Sequence, residues 1–493
     1  ELIGNESGLA GYWKLDGAVT INGRVVTVDA TANHNDLEVQ GSRTEFVHYN
    51  PIESFGSPIM SALSPIDCGV VEQASEFATR SLQMQNSGSG PLLGCFSNDG
   101  ESVEAAGVFF VPPGASESEK VMIRALSSGT LEDRLIVKSN LPDVSILISL
   151  TSLQVRNFDA NNISMWTYRN GISAHDPLLD AAGFEWPQHT GKTLIYSSGL
   201  WIGAKVGGSV RTAAASFISS EFSPGPIING AAADPNNSRY RVYKISGPED
   251  PDYSDWPIDL GAPVKSDGTT PKLLGDQTLF AVYNDLGPNG HPVFHTAPLG
   301  AEVQQTIYGF NRSGSLGDVV FIRYKVINRS SNQWENTYFS FWSDPDLGNP
   351  NDDLVGVDVS RNLGYTYNGD NYDEATEYNP GYGSNPPAIG FDLLQGALPT
   401  KPIQAFSYYT NAGPYPSSDP VNATQAYNFM QGLRSDGSPF EFGGIQTTFP
   451  LSGDPATSTG WVDGGPGDRR LMLSTGPFNL NPGVVSMEVR PSP

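Results

Sequence analysis

Glycine and proline interrupt this chain too often for long helices to persist: 54 Gly and 38 Pro are spread along its 493 residues. Glycine costs backbone entropy inside a helix, and proline removes a donor and clashes with the preceding turn, so the segments between them are short. Those segments are runs of Val, Ile, Tyr and Phe bounded by turn residues, the pattern of an all-β protein. In DVVFIRYKVINRSSNQWENTYFSFWSD, from Asp318 to Asp344, Val320, Ile322, Tyr324 and Val326 share one face. Phe321, Arg323, Lys325 and Ile327 share the other. RSSNQWEN turns the chain, and Thr337, Phe339 and Phe341 continue the alternation, so the expectation is a long antiparallel hairpin with one buried face. KTLIYSSGLWIGAKVGGSVRTAAASF reads as two strands around a Gly207-Gly208 turn, and LMLSTGPFNLNPGVVSMEVRPS as two more joined at Asn481-Pro482-Gly483. No segment carries a convincing helical period.

Lys and Arg number 28 against 53 Asp and Glu, a net charge of −25. Such a chain repels nucleic acid and anionic lipid, so neither is an expected partner. The acidity has two readings, a solvated extracellular surface or the binding of divalent cations. No stretch approaches the ~20 apolar residues of a membrane helix, so no transmembrane segment is expected. The first residue is Glu1 rather than Met, which reads as an exported chain with its signal peptide removed. Cys68 and Cys95 are either a disulfide of an oxidising compartment or two free thiols, and neither has the neighbours of a reactive thiolate.

Near the N-terminus, GLAGYWKLDG places Trp13 and Leu15 on one strand face, and VDATANHNDLEV follows with Asp29, Asn33, Asn35 and Asp36 in a polar turn. This pair resembles the start of a laminin-G-like (concanavalin A-like) jelly roll, in which an aromatic-x-Leu/Phe-Asp strand precedes a turn rich in Asp, Asn and Gly. Ala32 and His34 stand where that family has glycine. RSLQMQNSGSG, Arg80 to Gly90, resembles the family's next strand and turn. The resemblance covers residues 8–150 and implies a module that binds glycans or proteins, or that acts as a spacer. AAGVFFVPP, EKVMIRALSS, DRLIVKS and VSILISLTS read as further strands without a family signature.

The later part carries four blocks in order: GFEWPQHTGKTLIYSSGLWIGAKVGGSVRTAAASFISSEFSPGPI, SDPDLGNPNDDLVGVDVSRNLGYTYNGDNYDE, NPPAIGFDLLQG and GDRRLMLSTGPFNLNPG. Together they resemble uncharacterised secreted surface proteins of Bacteroidota, Ignavibacteria and their relatives, exported by the type IX secretion system. That resemblance implies secretion and surface display. Its members carry a C-terminal sorting domain that this chain does not show, and a C-terminal part is expected to lie beyond it. The expected architecture is therefore all-β. A jelly-roll sandwich over 1–150 is followed by one or two antiparallel β-sandwich units with long loops over 151–493, the two-unit alternative dividing near 300.

SDPDLGNPNDDLVGVDVS, from Ser343 to Ser360, concentrates Asp344, Asp346, Asp352, Asp353 and Asp358. Calcium takes six to eight oxygens, often from one flexible loop, and alternate carboxylates with Gly348 supply such a start. Position twelve from Asp344 is Val355 rather than the closing Glu of an EF-hand, so that class is excluded. Asn349, Asn351 and NGDNYDE (Asn368 to Glu374) offer further oxygens. Ca2+ at these five aspartates is the expected site, set against the plainer role of Asp and Asn as loop formers.

Catalytic patterns are thin. Two carboxylates flanking a groove would suffice for glycoside hydrolysis, and Glu185 beside Trp186 is the best single acid, but GFEWPQHTGK reads rather as a loop core around Phe184 and Trp186. The close pair in HPVFH, His291 and His295, lacks the H-E-x-x-H helix of a zinc protease. There is no G-x-S-x-G elbow and no P-loop, and Arg469 or Arg470 of GGPGDRR is expected to pair with a carboxylate. The expectation is a non-catalytic extracellular structural or adhesion protein, calcium-supported, that self-associates, binds other surface proteins or binds glycans. The alternative is a polysaccharide-binding module or part of a secreted glycan-degrading enzyme.

Overall fold

The computed structural model describes residues 19–21, 24–27, 37–38, 56–71, 78–98, 103–125, 129–152, 155–177, 179–217, 219–397 and 403–492. They are almost entirely β, as the interrupted alternation requires. The strand with Trp13 and Leu15 and the turn Asp29–Asp36 lie outside the described residues. Two compact units form. The smaller takes in Met84–Leu93, Phe110–Glu117 and the described part of Glu1–Ala62. In it the buried Asn86 amide donates to Gly90 O (2.8 Å) and Val111 O (3.1 Å) and accepts from the backbone N–H groups of Ile59 and Gly88, so one side chain ties three segments.

The larger unit comprises Leu63–Gln83, Gly94–Phe109 and Ser118–Pro493. Its early strands include the expected DRLIVKS and VSILISLTS. Val144–Ser152 pairs antiparallel with Gly129–Ser139 and parallel with Ile66–Val71, and Gly94–Asn98 lies against Gly129–Ser139 on the other side. Cys68 and Cys95 are both free thiols, and burial pushes the Cys68 thiol up to about 11, which keeps it inert.

The main body is a sandwich of two antiparallel sheets. Its strands are β1 (Ser197–Val206), β2 (Ser209–Ser216), β3 (Gln277–Asn284), β4 (Ala301–Gly309), β5 (Val320–Asn328), β6 (Trp334–Asp344), β7 (Asp353–Asp358), β8 (Leu363–Asn368), β9 (Ala388–Gln395), β10 (Ala405–Thr410), β11 (Arg469–Leu480) and β12 (Gly483–Ser492). One sheet has the order Ser219–Ser220, β2, β1, β6, β11, β10. The other runs Ser223–Pro224, β3, β4, β5, β12, β9, β8, β7, with Tyr243–Ile245 also on β3. Leu200, Ile202, Phe339, Phe341, Leu471 and Leu473 from the first meet Val303, Ile322, Tyr324, Val355, Phe391 and Val489 from the second in one core. Phe341 and Phe391 touch across the layers with ring centroids 5.5 Å apart.

The β1–β2 hairpin forms as expected, with Gly207 at φ 57° and Gly208 at φ 81°, the doubly positive pair a tight hairpin turn demands. The long hairpin expected over Asp318–Asp344 does not. Its two strands have the buried faces assigned to them, but β5 pairs with β4 and β12, whereas β6 pairs with β1 and β11. The chain therefore arches from one sheet to the other between Asn328 and Trp334. The β11–β12 connection arches back in the same way, and the two arches stack through β5–β12 and β6–β11. Burying both apolar faces against each other removes more surface from water than a flat hairpin with one covered side.

The outer face of the six-stranded sheet is covered by a helix the sequence reading missed, α1 (Ala423–Met430). The Asn422 side chain caps it by accepting from Gln425 N at 3.0 Å, and Ala426, Tyr427, Phe429 and Met430 pack on Trp201, Trp342, Tyr409 and Met472. Gly203 makes room for it: a Cβ there would come within 2.6 Å of Met430 Sδ. No helix among the described residues is long and apolar enough to cross a membrane.

Candidate cation site

The five aspartates of the 343–360 stretch do not occupy one loop. Asp344 ends β6, Asp353 and Asp358 bound β7, and only Asp346 and Asp352 lie between. The stretch from Asp344 to Gly348 is held to the neighbouring segment by Tyr196 N to Asp344 O, Asp346 N to Leu194 O and Gly348 N to Thr193 O. Pleating then sends successive side chains to opposite sides. Asp344 and Asp346 come together with Asp468, from the loop before β11, so that one oxygen of each lies within 4.8 Å of the others. This is the one such grouping of His, Cys, Asp and Glu among the described residues.

Asp344 is 1% exposed and faces Arg470 on the adjacent strand. Arg470 Nε stands 2.9 Å from Asp344 Oδ1 and Nη2 donates to Oδ2 at 3.1 Å, while Nη1 donates to Asp468 Oδ1 at 2.7 Å. Burial, then Asp346, push the Asp344 carboxyl well up, with Arg470 opposing. Asp346 is pushed up to about 7 by burial and by Asp468, again against Arg470. Burial disfavours the charge on Arg470 itself, and Asp344, Asp468 and Asp419 together more than offset that.

The other three aspartates have partners elsewhere. Asp353 is fully buried, its Oδ2 accepting from Leu347 N at 3.1 Å, and burial holds its carboxyl well above the usual range. Asp352 is raised to about 6 by burial and by Asp373. Asp373, inside NGDNYDE, accepts from Asn349 N (2.8 Å) and Tyr382 N (2.5 Å). Asp358 caps a short 3-10 turn through Ser360 and pairs with Arg361, and those bonds lower its pKa. Asp358 thus acts as a loop former.

Glu185 accepts from Gly191 N at 2.6 Å, Trp186 Nε1 donates to Asp318 Oδ1 at 2.9 Å, and Phe184 is fully buried, as the loop-core reading expects. His291 is buried between Glu221 Oε2 and Asp285 Oδ2, each 3.6 Å away, whereas His295 is exposed. Both arginines of GGPGDRR pair with carboxylates, Arg469 with Asp463 and Arg470 with Asp344 and Asp468. Asp468 is the residue the sequence reading passed over. Its signal was its place in that same segment, directly before Arg469.

No family model matches this chain, and no curated protein matches it. Solved structures that it resembles include a protein of unknown function from Porphyromonas gingivalis W83, at 17% identity, 20% of this chain, 50% of that chain and a TM-score of 0.17. Another is domains 4 and 5 of the S-layer protein SbsC, at 13% identity, 26% of this chain, 65% of that chain and a TM-score of 0.13. A third is invasin, a bacterial integrin-binding protein, at 9% identity, 89% of this chain, 99% of that chain and a TM-score of 0.14. The chain spans about half the length of the Porphyromonas structure.

Proposed function

We propose that this chain is a non-catalytic extracellular protein of the cell surface, structural or adhesive, whose fold is supported by Ca2+ held at Asp344, Asp346 and Asp468. In this reading it is exported, self-associates or binds other surface proteins or glycans, and divides into a jelly-roll module over 1–150 and a sandwich region over 151–493. The observation that carries the cation is a charge mismatch: three carboxylates converge on one guanidinium. Oxygens bound to one Ca2+ at 2.3–2.6 Å stand no more than about 5 Å apart, which the 4.8 Å grouping meets. Asp352 and Asp353 belong to the same acidic neighbourhood through Asp346 and Asp373, and they would feel the ion without ligating it.

The test is thermal unfolding of the full chain in calcium and then in chelator, with particle size followed by light scattering. A calcium excess of about 100-fold over Kd should add about 2.7 kcal/mol of stability. Asp346→Asn should abolish that gain. An unchanged melting temperature and unchanged size on chelation would sink the reading. The rival, a polysaccharide-binding module or part of a glycan-degrading enzyme, is favoured by a polar cavity of about 440 Å³ lined by Tyr168, Arg169, Asn170, Asn236 and Asn289. Saturable binding of oligosaccharides, lost on Asn170→Ala, would support it.

A further inference from the structure

On the outer face of the six-stranded sheet, beside the carboxylate grouping but separate from it, lies a half-open cavity of about 170 Å³. Trp201, Phe217, Phe294 and Tyr409 line it, together with one carboxylate, Asp419. Its size is close to the ~150 Å³ apolar cavity that takes up benzene, so it has room for a small organic group. The walls are built rather than incidental. Trp201 stacks on Trp342 at 5.6 Å and meets Phe294 edge-on at 5.0 Å, and its Nε1 donates to Ala215 O. Tyr409 is held by Trp342 Nε1, which donates to its hydroxyl at 2.7 Å. Phe217 sits against Trp342 at 5.0 Å with a left-handed backbone, φ 49°, a conformation that costs an aromatic residue energy and persists only where its surroundings enforce it.

Asp419 gives this aromatic cavity a sign. Its Oδ1 is buried without a hydrogen-bond donor, although the carboxyl as a whole is met by the backbone N–H of Ala412. A buried carboxylate oxygen lacking a donor is costly, and an N–H group of positive charge is what would satisfy it best. The nearby cation, Arg470, bonds Asp344 and Asp468 with its guanidinium over Phe217 at 5.1 Å, and its charge reaches Asp419 without a direct bond. Aromatic faces and a carboxylate around a small apolar volume are the elements that recognise an organic cation, through the ring quadrupole and a charge-assisted hydrogen bond. We propose that this cavity is a binding site for a primary alkylammonium group, either the end of a lysine side chain on a partner protein or a free small amine, with the ammonium on Asp419 and the alkyl stem among Trp201, Phe294 and Tyr409. The lining residues are distinct from Asp344, Asp346 and Asp468, although Asp419 shares the field of Arg470 with Asp344 and Asp468.

The experiment titrates the full chain with n-butylammonium chloride, and with n-butanol as its neutral match, following ligand-observed NMR and tryptophan fluorescence, once in calcium and once in chelator. Butylammonium should bind saturably in both solutions, about tenfold or more tighter than butanol, since one charge-assisted contact over aromatic rings is worth at least that factor. Asp419→Asn should bring the amine down to the level of butanol. A lysine peptide and its Nε-acetylated form repeat the comparison without any variant, and a preference for the free lysine identifies a protein source, whereas binding of butylammonium alone identifies a small amine. Equal responses to butylammonium and butanol, or no saturable response to either, would overturn the proposal. Calcium binding is read separately in the same samples, so the failure of one site leaves the other standing or falling by its own signal.

Discussion

Arg469 and Arg470 are neighbours on β11, and they meet opposite electrostatic situations. Arg469 faces one carboxylate: its Nε and Nη2 reach the two oxygens of Asp463 at 3.1 and 3.0 Å, and Asp463 also accepts from Val355 N. The fork matches its partner one for one and locks the loop before β11 to β7. Arg470 faces Asp344 and Asp468 directly and feels Asp419 as well, with Asp346 close behind. A matched buried pair is a structural clasp. An overloaded cation leaves carboxylates that must hold protons or draw in another cation, and this is where a ligand can act on the fold.

Removing each arginine is the strongest way to break that contrast. Breaking a buried pair by deleting one partner costs about 3–5 kcal/mol, because the other charge is stranded. Arg470→Ala should fall at the upper end without calcium, since it strands Asp344 beside two more carboxylates, and added calcium should restore part of the loss. Arg469→Ala should fall at the lower end and show no rescue by calcium. Urea denaturation of both variants, with and without calcium, reads the difference. Equal calcium rescue of the two would erase the distinction between clasp and cation site.

The pH dependence sharpens it. The carboxyl of Asp346 is raised to about 7 in the folded chain, whereas an unfolded Asp titrates near 3.9. Across that interval the unfolded chain has released the proton and the folded chain still holds it, so stability is greatest at the acid end and falls as pH rises towards about 7. Without calcium, the denaturation midpoint should decline from pH 5 to pH 8. Glu221, raised to about 7, and Asp352, raised to about 6, add the same slope, both mainly through burial. Asp346→Asn should flatten the profile in part, and calcium should flatten it by the same share. A profile unaffected by the variant would show that Asp346 does not carry the linkage.

The smallest effect lies under α1 on the outer face of the same sheet. Gly203→Ala pushes a Cβ to within 2.6 Å of Met430 Sδ and 2.8 Å of Tyr427, so α1 must shift. Overpacking of this kind costs about 1–3 kcal/mol, and the flexible thioether should keep it near 1, with the calcium response unchanged. Differential scanning calorimetry with and without calcium checks both halves of that expectation. A changed calcium response would mean that helix packing and the carboxylate grouping are one unit.

Much of the molecule was legible before folding, because it rests on local rules. The alternation of Val320, Ile322, Tyr324 and Val326 fixed which face is buried, Gly207-Gly208 fixed a hairpin, and two arginines in an acidic chain fixed that carboxylates would meet them. Even α1 left a trace, with Asn422 as cap and Ala423, Ala426, Tyr427 and Met430 at helical spacing, overshadowed by the strands around it. What the sequence alone could not decide is which partner each local element takes. Period-two patterning marks a face but is silent on whether β5 and β6 fold flat together or arch between sheets, because that choice turns on apolar surface buried far along the chain. The same holds for the carboxylates. Asp344 and Arg470 are 126 residues apart in sequence and in direct contact in the fold, so the acidic stretch announced charge, and only the pairing of β6 with β11 decided where that charge converges.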